Sequence, residues 1–295
     1  MLKAYVGRAK QLVTQRSTPV IRKMVSAPQQ AQLRHTASRT RFDAHMREQL
    51  GGFYQSVDPG PMQPMDVSKR TAAMEESDVD ALQSRNTFFD LSYRQVQLFV
   101  DALAAQNVNL RTIGSVLEIG CGGARLLRHF RCMEGVRLVG TDIDAESIAW
   151  CTANLPGMEF EVNEPDPPFA TIDDRTFDLA IASSVFTHIP LALQGPWLTE
   201  MRRVLRPGGI FVCTVVGRWH IERQLDKPSR RRLEQAGSIE LVPGDQGLSL
   251  SSEETNQNDV FQTRAEVIRV FGSAFTMLDY VRGPQDLLVL RKPWG

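Results

Sequence analysis

The stretch Val116-Leu117-Glu118-Ile119-Gly120-Cys121-Gly122-Gly123-Ala124 decides the fold. A short apolar run passes straight into glycines, and Ala124 to Cys132 then carries helical spacing, so a strand, a tight turn and a helix are predicted in succession. Such a turn lets a small ligand approach backbone amides at a helix N-terminus. A dinucleotide fingerprint would need Gly-x-Gly-x-x-Gly, and counting from Gly120 the third glycine position falls on Arg125. Glu118 argues the same way, because a carboxylate at the strand end repels a pyrophosphate and favours an ammonium or sulfonium cation.

Short apolar runs alternate with helical patterns downstream. Strands are expected at 136–141, 158–162, 177–182 and 210–215, with helices at 145–153 and 191–205, the last ended by Arg206-Pro207-Gly208-Gly209. This alternation predicts an α/β fold, a doubly wound, mostly parallel seven-stranded sheet with helices on both faces. A helix at 263–271 and strands at 275–281 and 286–291, joined by Arg282-Gly283-Pro284-Gln285, predict a C-terminal antiparallel hairpin. Between Gly217 and Asp259 the pattern gives way to charge, Gly, Ser and Asn, which reads as an insertion or lid over the functional edge of the sheet.

Upstream, a helix at 88–103 leads into the sheet domain, and Ser56 to Pro64, with three prolines and a glycine, reads as a linker. The expected organisation is a helical and loop extension over 1–87, followed by the sheet domain over 88–295 with its insertion at 217–259.

Asp142, in Val139-Gly140-Thr141-Asp142-Ile143-Asp144, ends the second strand where such folds hydrogen-bond a ribose. A carboxylate accepting two hydroxyls there is worth roughly 1.5–3 kcal/mol. Ile143 is placed against an adenine face, and Asp144 is assigned as the N-cap of the next helix.

On these residues the chain resembles the class I S-adenosylmethionine-dependent methyltransferases, over roughly 96–292. The resemblance implies that the glycine turn cradles the methionine portion of S-adenosylmethionine and that Asp142 holds the ribose. Glu118, Gly120, Cys121, Gly122, Asp142 and Ile143 fall on the corresponding positions. Asn163, in Glu161-Val162-Asn163-Glu164, matches the adenine segment, and Ser183 follows the fourth strand. The strings Phe177 to Pro190 and Trp197 to Gly209 are similar to the family's fourth strand and to its helix and turn before the fifth. The chain departs from the pattern in having Ala124 where a glycine is common.

The implied activity is methyl transfer to an acceptor that the residues do not identify. The closing Gln285 to Leu290 strand, similar to that of bacterial small-molecule and saccharide enzymes, directs the expectation to a small hydroxylated molecule or a saccharide. His188, after the fourth strand, is the candidate general base. His220 is a lesser candidate, and His129, inside the expected helix, reads as structural. Trp219 and Phe186 are candidates to line an acceptor pocket, and Arg230-Arg231-Arg232 near Lys227 to attract an anionic one. The competing readings are a catalytically silent cofactor-binding module, a nicotinamide-dependent oxidoreductase, and an aminopropyl transferase, for which the turn after the fourth strand lacks the acids a polyamine needs.

Composition sets the outer bounds. The 295 residues are 42% hydrophobic, enough for a substantial core, and 34 basic side chains balance 34 acidic ones, so no nucleic-acid partner is expected. The balance hides an asymmetry, because no acid precedes Asp43 while nine Lys and Arg do. That stretch, with Leu2, Val6, Ala9 and Val13 at helical spacing, reads as a solvated amphipathic extension, with organelle targeting or peripheral membrane contact as alternatives. No apolar run reaches membrane-spanning length, and a cytoplasmic location is expected. Cys121, Cys132, Cys151 and Cys213 lack the close pairing of a zinc site, so reduced thiols and no metal are expected.

Overall fold

Apolar runs without alternation, such as Val116-Leu117 and Leu287-Leu288-Val289-Leu290, belong to strands covered on both faces. A computed structural model describes residues 27–63, 81–241 and 259–294 and shows that arrangement. Seven strands lie in one sheet: β1 Ser115–Ile119, β2 Arg137–Asp142, β3 Glu159–Val162, β4 Phe177–Ala182, β5 Leu205–Val216, β8 Thr276–Val281 and β9 Gln285–Arg291. Their order is β3-β2-β1-β4-β5-β9-β8. The first five run parallel, and β9 runs antiparallel between β5 and β8. Of the acid-free basic stretch, residues 1–26 lie outside the described residues, while Arg34, Arg39 and Arg41 lie in the helix Ala27–Leu50.

Successive side chains of each strand serve opposite faces. Val116, Leu179, Ile181, Val212 and Val289 join one cluster with helices α1 (Ala27–Leu50) and α2 (Ala81–Ala105), through Phe42, Met46, Leu50, Phe89, Phe99 and Leu103. Leu117, Ile119, Phe211, Cys213 and Leu288 join the other with α4 (Leu191–Val204) and α7 (Arg264–Gly272), through Trp197, Met201, Val267 and Phe271. Helix α3 (Ala145–Asn154) follows β2 and is N-capped by Asp144, as its position before Ala145 implied.

Three expectations need correction. Residues 124–132 do not form an α-helix: Ala124 is left-handed, and only a 3-10 segment, Leu127–Cys132, follows. The stretch 54–63 is not a free linker but a strap packed on the domain, with Pro59 and Gln63 buried and Gln55 N donating to Cys132 O at 2.8 Å. Pro64 lies outside the described residues. Finally, the region after Gly217 is not patternless. It forms α5 (Arg218–Gln224), α6 (Lys227–Ala236) and β6 (Ser238–Leu241), which pairs with β7 (Asp259–Gln262) around Leu225, Leu233, Leu241 and Phe261. Among the described residues no helix is long and apolar enough to cross a membrane.

Candidate cofactor and acceptor site

The turn after β1 is built on left-handed residues. Gly120 has φ +65° and Gly122 φ +48°, which glycine adopts without strain. A side chain at Gly120 would come within 2.4 Å of Val185 Cγ2, so the first glycine also lets the β4 turn approach. Ala124, at φ +52°, holds the same conformation at a cost of roughly 1–2 kcal/mol for an L-residue. The turn closes through Ala124 N donating to Cys121 O at 2.8 Å and Cys121 N to Thr141 O at 3.0 Å. The buried thiols of Cys121 and Cys151 both point at Gly122 O, at 3.6 and 3.3 Å.

Glu118 is buried beneath the turn rather than displayed at its mouth. Its Oε2 accepts Leu127 N at 2.8 Å and so caps the 3-10 segment. Burial pushes its pKa up to about 8, against the opposing pull of that amide and of Arg125. A cation above the turn would offset part of this desolvation.

Asp142 joins the two halves of the site. Its Oδ2 accepts Gly122 N at 2.7 Å and its Oδ1 accepts Asp144 N at 2.9 Å. Burial raises its pKa, while these two amides oppose the rise. Each carboxylate oxygen keeps a second lone pair, so the group can still accept hydroxyls. Beside it Ile143 is 56% and Val162 53% exposed, apolar side chains left open at the ends of β2 and β3. Asn163 N donates to Asp142 O at 3.0 Å, and its buried Oδ1 has no hydrogen-bond partner. Two exposed apolar side chains, a carboxylate and an orphaned acceptor fit an adenosine, with its apolar ring faces, its ribose diol and its exocyclic amine.

Beyond β4, Ser183 Oγ accepts Gln95 Nε2 from α2 at 2.9 Å. Ser184 (φ +59°) donates its N to Thr214 Oγ1 at 2.8 Å, and Thr214 in turn donates to Gln285 Oε1 at 2.7 Å, joining the ends of β4, β5 and β9. His188 Nδ1 stands 3.4 Å from Asp259 Oδ1, and Val260 N donates to Thr187 O, so β7 docks on this turn.

The structure therefore gathers Glu118, Gly120, Cys121, Gly122, Asp142, Ile143 and Asn163 around adjacent strand ends, with Ser183 and His188 following β4. Gln95, Val162 and Asp259 were not expected there. Only Val162 carried a sequence signal, an apolar residue directly before Asn163. Phe186 is a core residue rather than a pocket wall, packed on Phe211 and Phe271. Trp219 is exposed under the guanidinium of Arg223, 3.8 Å from its ring centre, and His220 is spent on Pro284 O at 2.6 Å. His129 is buried, its Nε2 2.8 Å from Ser92 Oγ and its pKa pushed down by burial, as a structural histidine requires.

Strand order, glycine turn and acid after β2 agree with the fold that the sequence resemblance implies. Residues 117–213 match the family described as a methyltransferase domain, a segment running from β1 through most of β5. That segment, about a third of the chain, is similar to the methyltransferase domain of that family. Among similar proteins, the fatty-acid O-methyltransferase of Mycolicibacterium smegmatis is 32% identical over 169 residues, covering 52% of this chain and 57% of that one. A probable phthiotriol/phenolphthiotriol dimycocerosates methyltransferase of Mycobacterium ulcerans is 32% identical over 119 residues, 35% of this chain and 42% of its own. A mitochondrial arginine-hydroxylase of Danio rerio is 32% identical over 108 residues, 36% of this chain and 32% of its own. The chain thus spans less than two thirds of the length of each.

Proposed function

We propose that the protein transfers a methyl group from S-adenosylmethionine to an oxygen of a hydroxyl- or carboxyl-bearing acceptor. The observation that carries the cofactor half is the grouping of Asp142, the orphaned Asn163 Oδ1 and the open side chains of Ile143 and Val162 at neighbouring strand ends. When bound, S-adenosylmethionine supplies a methyl group on a sulfonium sulfur, with a neutral thioether as leaving group. Asp142 holds the ribose, Ile143 and Val162 flank the base, Asn163 accepts from its amine, and the glycine turn lies along the methionine portion. Holding the acceptor in near-attack geometry contributes roughly 7–11 kcal/mol, the larger share of the work.

His188 takes the acceptor proton as the new carbon–oxygen bond forms. Asp259 at Nδ1 favours the tautomer protonated there and orients the ring. For the acceptor, the names of the two bacterial relatives favour an amphiphilic lipid over the saccharide implied by the last strand. The unit formed by α5, α6, β6 and β7 covers the acceptor side, because it is joined to the His188 turn through Val260 and Asp259.

Two measurements test this. Calorimetric titration with S-adenosylmethionine, S-adenosylhomocysteine and NADH should show binding of the two sulfur nucleotides alone, and selective NADH binding would overturn the cofactor reading. Methyl-label transfer to fatty acids, hydroxylated lipids and saccharides should then mark one of the first two; label on saccharides alone would restore the saccharide reading.

A further inference from the structure

Among the described residues Arg128 is the largest fully buried side chain, and every hydrogen bond its guanidinium gives there goes to a main-chain carbonyl. Nε donates to Ala124 O at 2.9 Å and Nη2 to Gly123 O at 2.5 Å, both in the glycine turn. Nη1 donates to Pro61 O at 2.6 Å and more weakly to Pro59 O at 3.4 Å, both in the strap. The rings of Phe88 and Phe89 lie 5.5 and 5.7 Å away. Burial pulls its pKa down to about 10, so the charge persists at neutral pH. A buried cation with no carboxylate in hydrogen-bonding range among the described residues is costly, even with Glu118 near enough to act through its charge, and its retention calls for a use that an apolar residue could not serve.

The use is visible in what it touches. Ala124 has a left-handed backbone, and its carbonyl accepts both Arg128 Nε and, at 3.4 Å, Arg128 N. The strap reaches the other half of the site as well. Gln63 lies so close to Gly123 that a Cβ there would fall 2.7 Å from Gln63 Oε1. Gln63 Nε2 donates to Ser147 Oγ at 3.0 Å, Ser147 Oγ to Asp144 Oδ2 at 2.7 Å, and Asp144 N to Asp142 Oδ1 at 2.9 Å.

We propose that Arg128 is a positioning residue of the cofactor site, holding the Gly123 and Ala124 carbonyls of the glycine turn and fastening that turn to the 59–61 part of the strap. The strap, contributed by a segment ahead of the matched family segment, is thereby part of the cofactor-binding unit. The inference rests on the reading of this turn as the cofactor cradle.

Its test is a set of S-adenosylhomocysteine affinities on the full chain. Arg128→Met should weaken binding at least about tenfold. Arg128→Lys, which keeps charge but not the fork, is measured alongside and should also bind more weakly, so the comparison survives if the Met variant does not fold. Ala124→Gly separates positioning from packing, since glycine adopts the left-handed turn unaided; the loss caused by the Arg128 variants should shrink by roughly threefold or more in that background. In the wild-type protein, hydrogen exchange should slow at 57–63 together with 120–125 when S-adenosylhomocysteine is added. Wild-type-like affinity in the Arg128 variants, an undiminished loss in the Ala124→Gly background, or strap exchange indifferent to the ligand would each overturn the proposal. Failure of the wild-type protein to bind would instead bring down the cofactor reading beneath it.

Discussion

The amide of Gly122 donates to the Asp142 carboxylate at 2.7 Å, so the glycine turn of β1 and the acid of β2 form one hydrogen-bonded unit. Asp142→Ala should therefore weaken S-adenosylhomocysteine binding by about ten- to a hundredfold, losing both the proposed ribose acceptor and the turn's anchor. Calorimetry measures the affinity, and far-ultraviolet circular dichroism should confirm an intact fold. Unchanged affinity would remove Asp142 from the site.

Glu118 predicts a pH dependence. Its pKa is raised by burial to about 8, so the folded state retains a proton that the unfolded chain releases near pH 4–5. Its contribution to stability is full below the ordinary carboxylate range and is lost as pH rises through about 8. The unfolding free energy from urea titration should fall between pH 5 and 8, by an amount on the order of a few kcal/mol, and Glu118→Gln should flatten the slope. A slope identical in the variant would assign it to other groups. Saturating S-adenosylmethionine should also reduce it, because a nearby cation favours the ionised form.

Gly120→Ala places a methyl group against Val185 Cγ2 in a left-handed backbone. A loss of roughly 2–4 kcal/mol in chemical denaturation is expected, with weakened cofactor binding. Adding Val185→Ala should recover the steric part and leave the backbone part. No recovery would mean the two residues do not meet.

For the pair His188 and Asp259, His188→Gln should lower kcat by at least about a hundredfold while S-adenosylhomocysteine affinity stays near wild type. Asp259→Asn should give a smaller loss in kcat. Near-normal turnover in His188→Gln would make the contact a docking feature of β7 alone.

Much of the sheet was legible because β1, β4 and β9 are buried on both faces, so their apolar runs stand out against polar turns. Helix α6 was not. Only Ser229 and Leu233 of its ten residues are buried, and charge hides so narrow a stripe; its cap Asp226 and the left-handed Gly237 after it were the available signals. The 124–132 segment misled in the opposite direction. Its apolar spacing is genuine, but Ala124 is left-handed and Glu118 captures Leu127 N, which tightens the chain into a 3-10 form. In the site, Asp142 and the glycines carried local signatures. Asp259 and Gln95 did not, because each arrives from a distant element and has meaning only beside His188 or Ser183.

All four cysteines are buried free thiols, and burial raises the pKa of each. Cys121 and Cys151 converge on the glycine turn, Cys132 accepts the strap through its carbonyl, and Cys213 lies in β5. The chain thus carries built-in reporters of its own breathing. Alkylation must wait for each region to open, so the order in which these thiols are trapped would rank local opening around the cofactor turn against that of the central sheet.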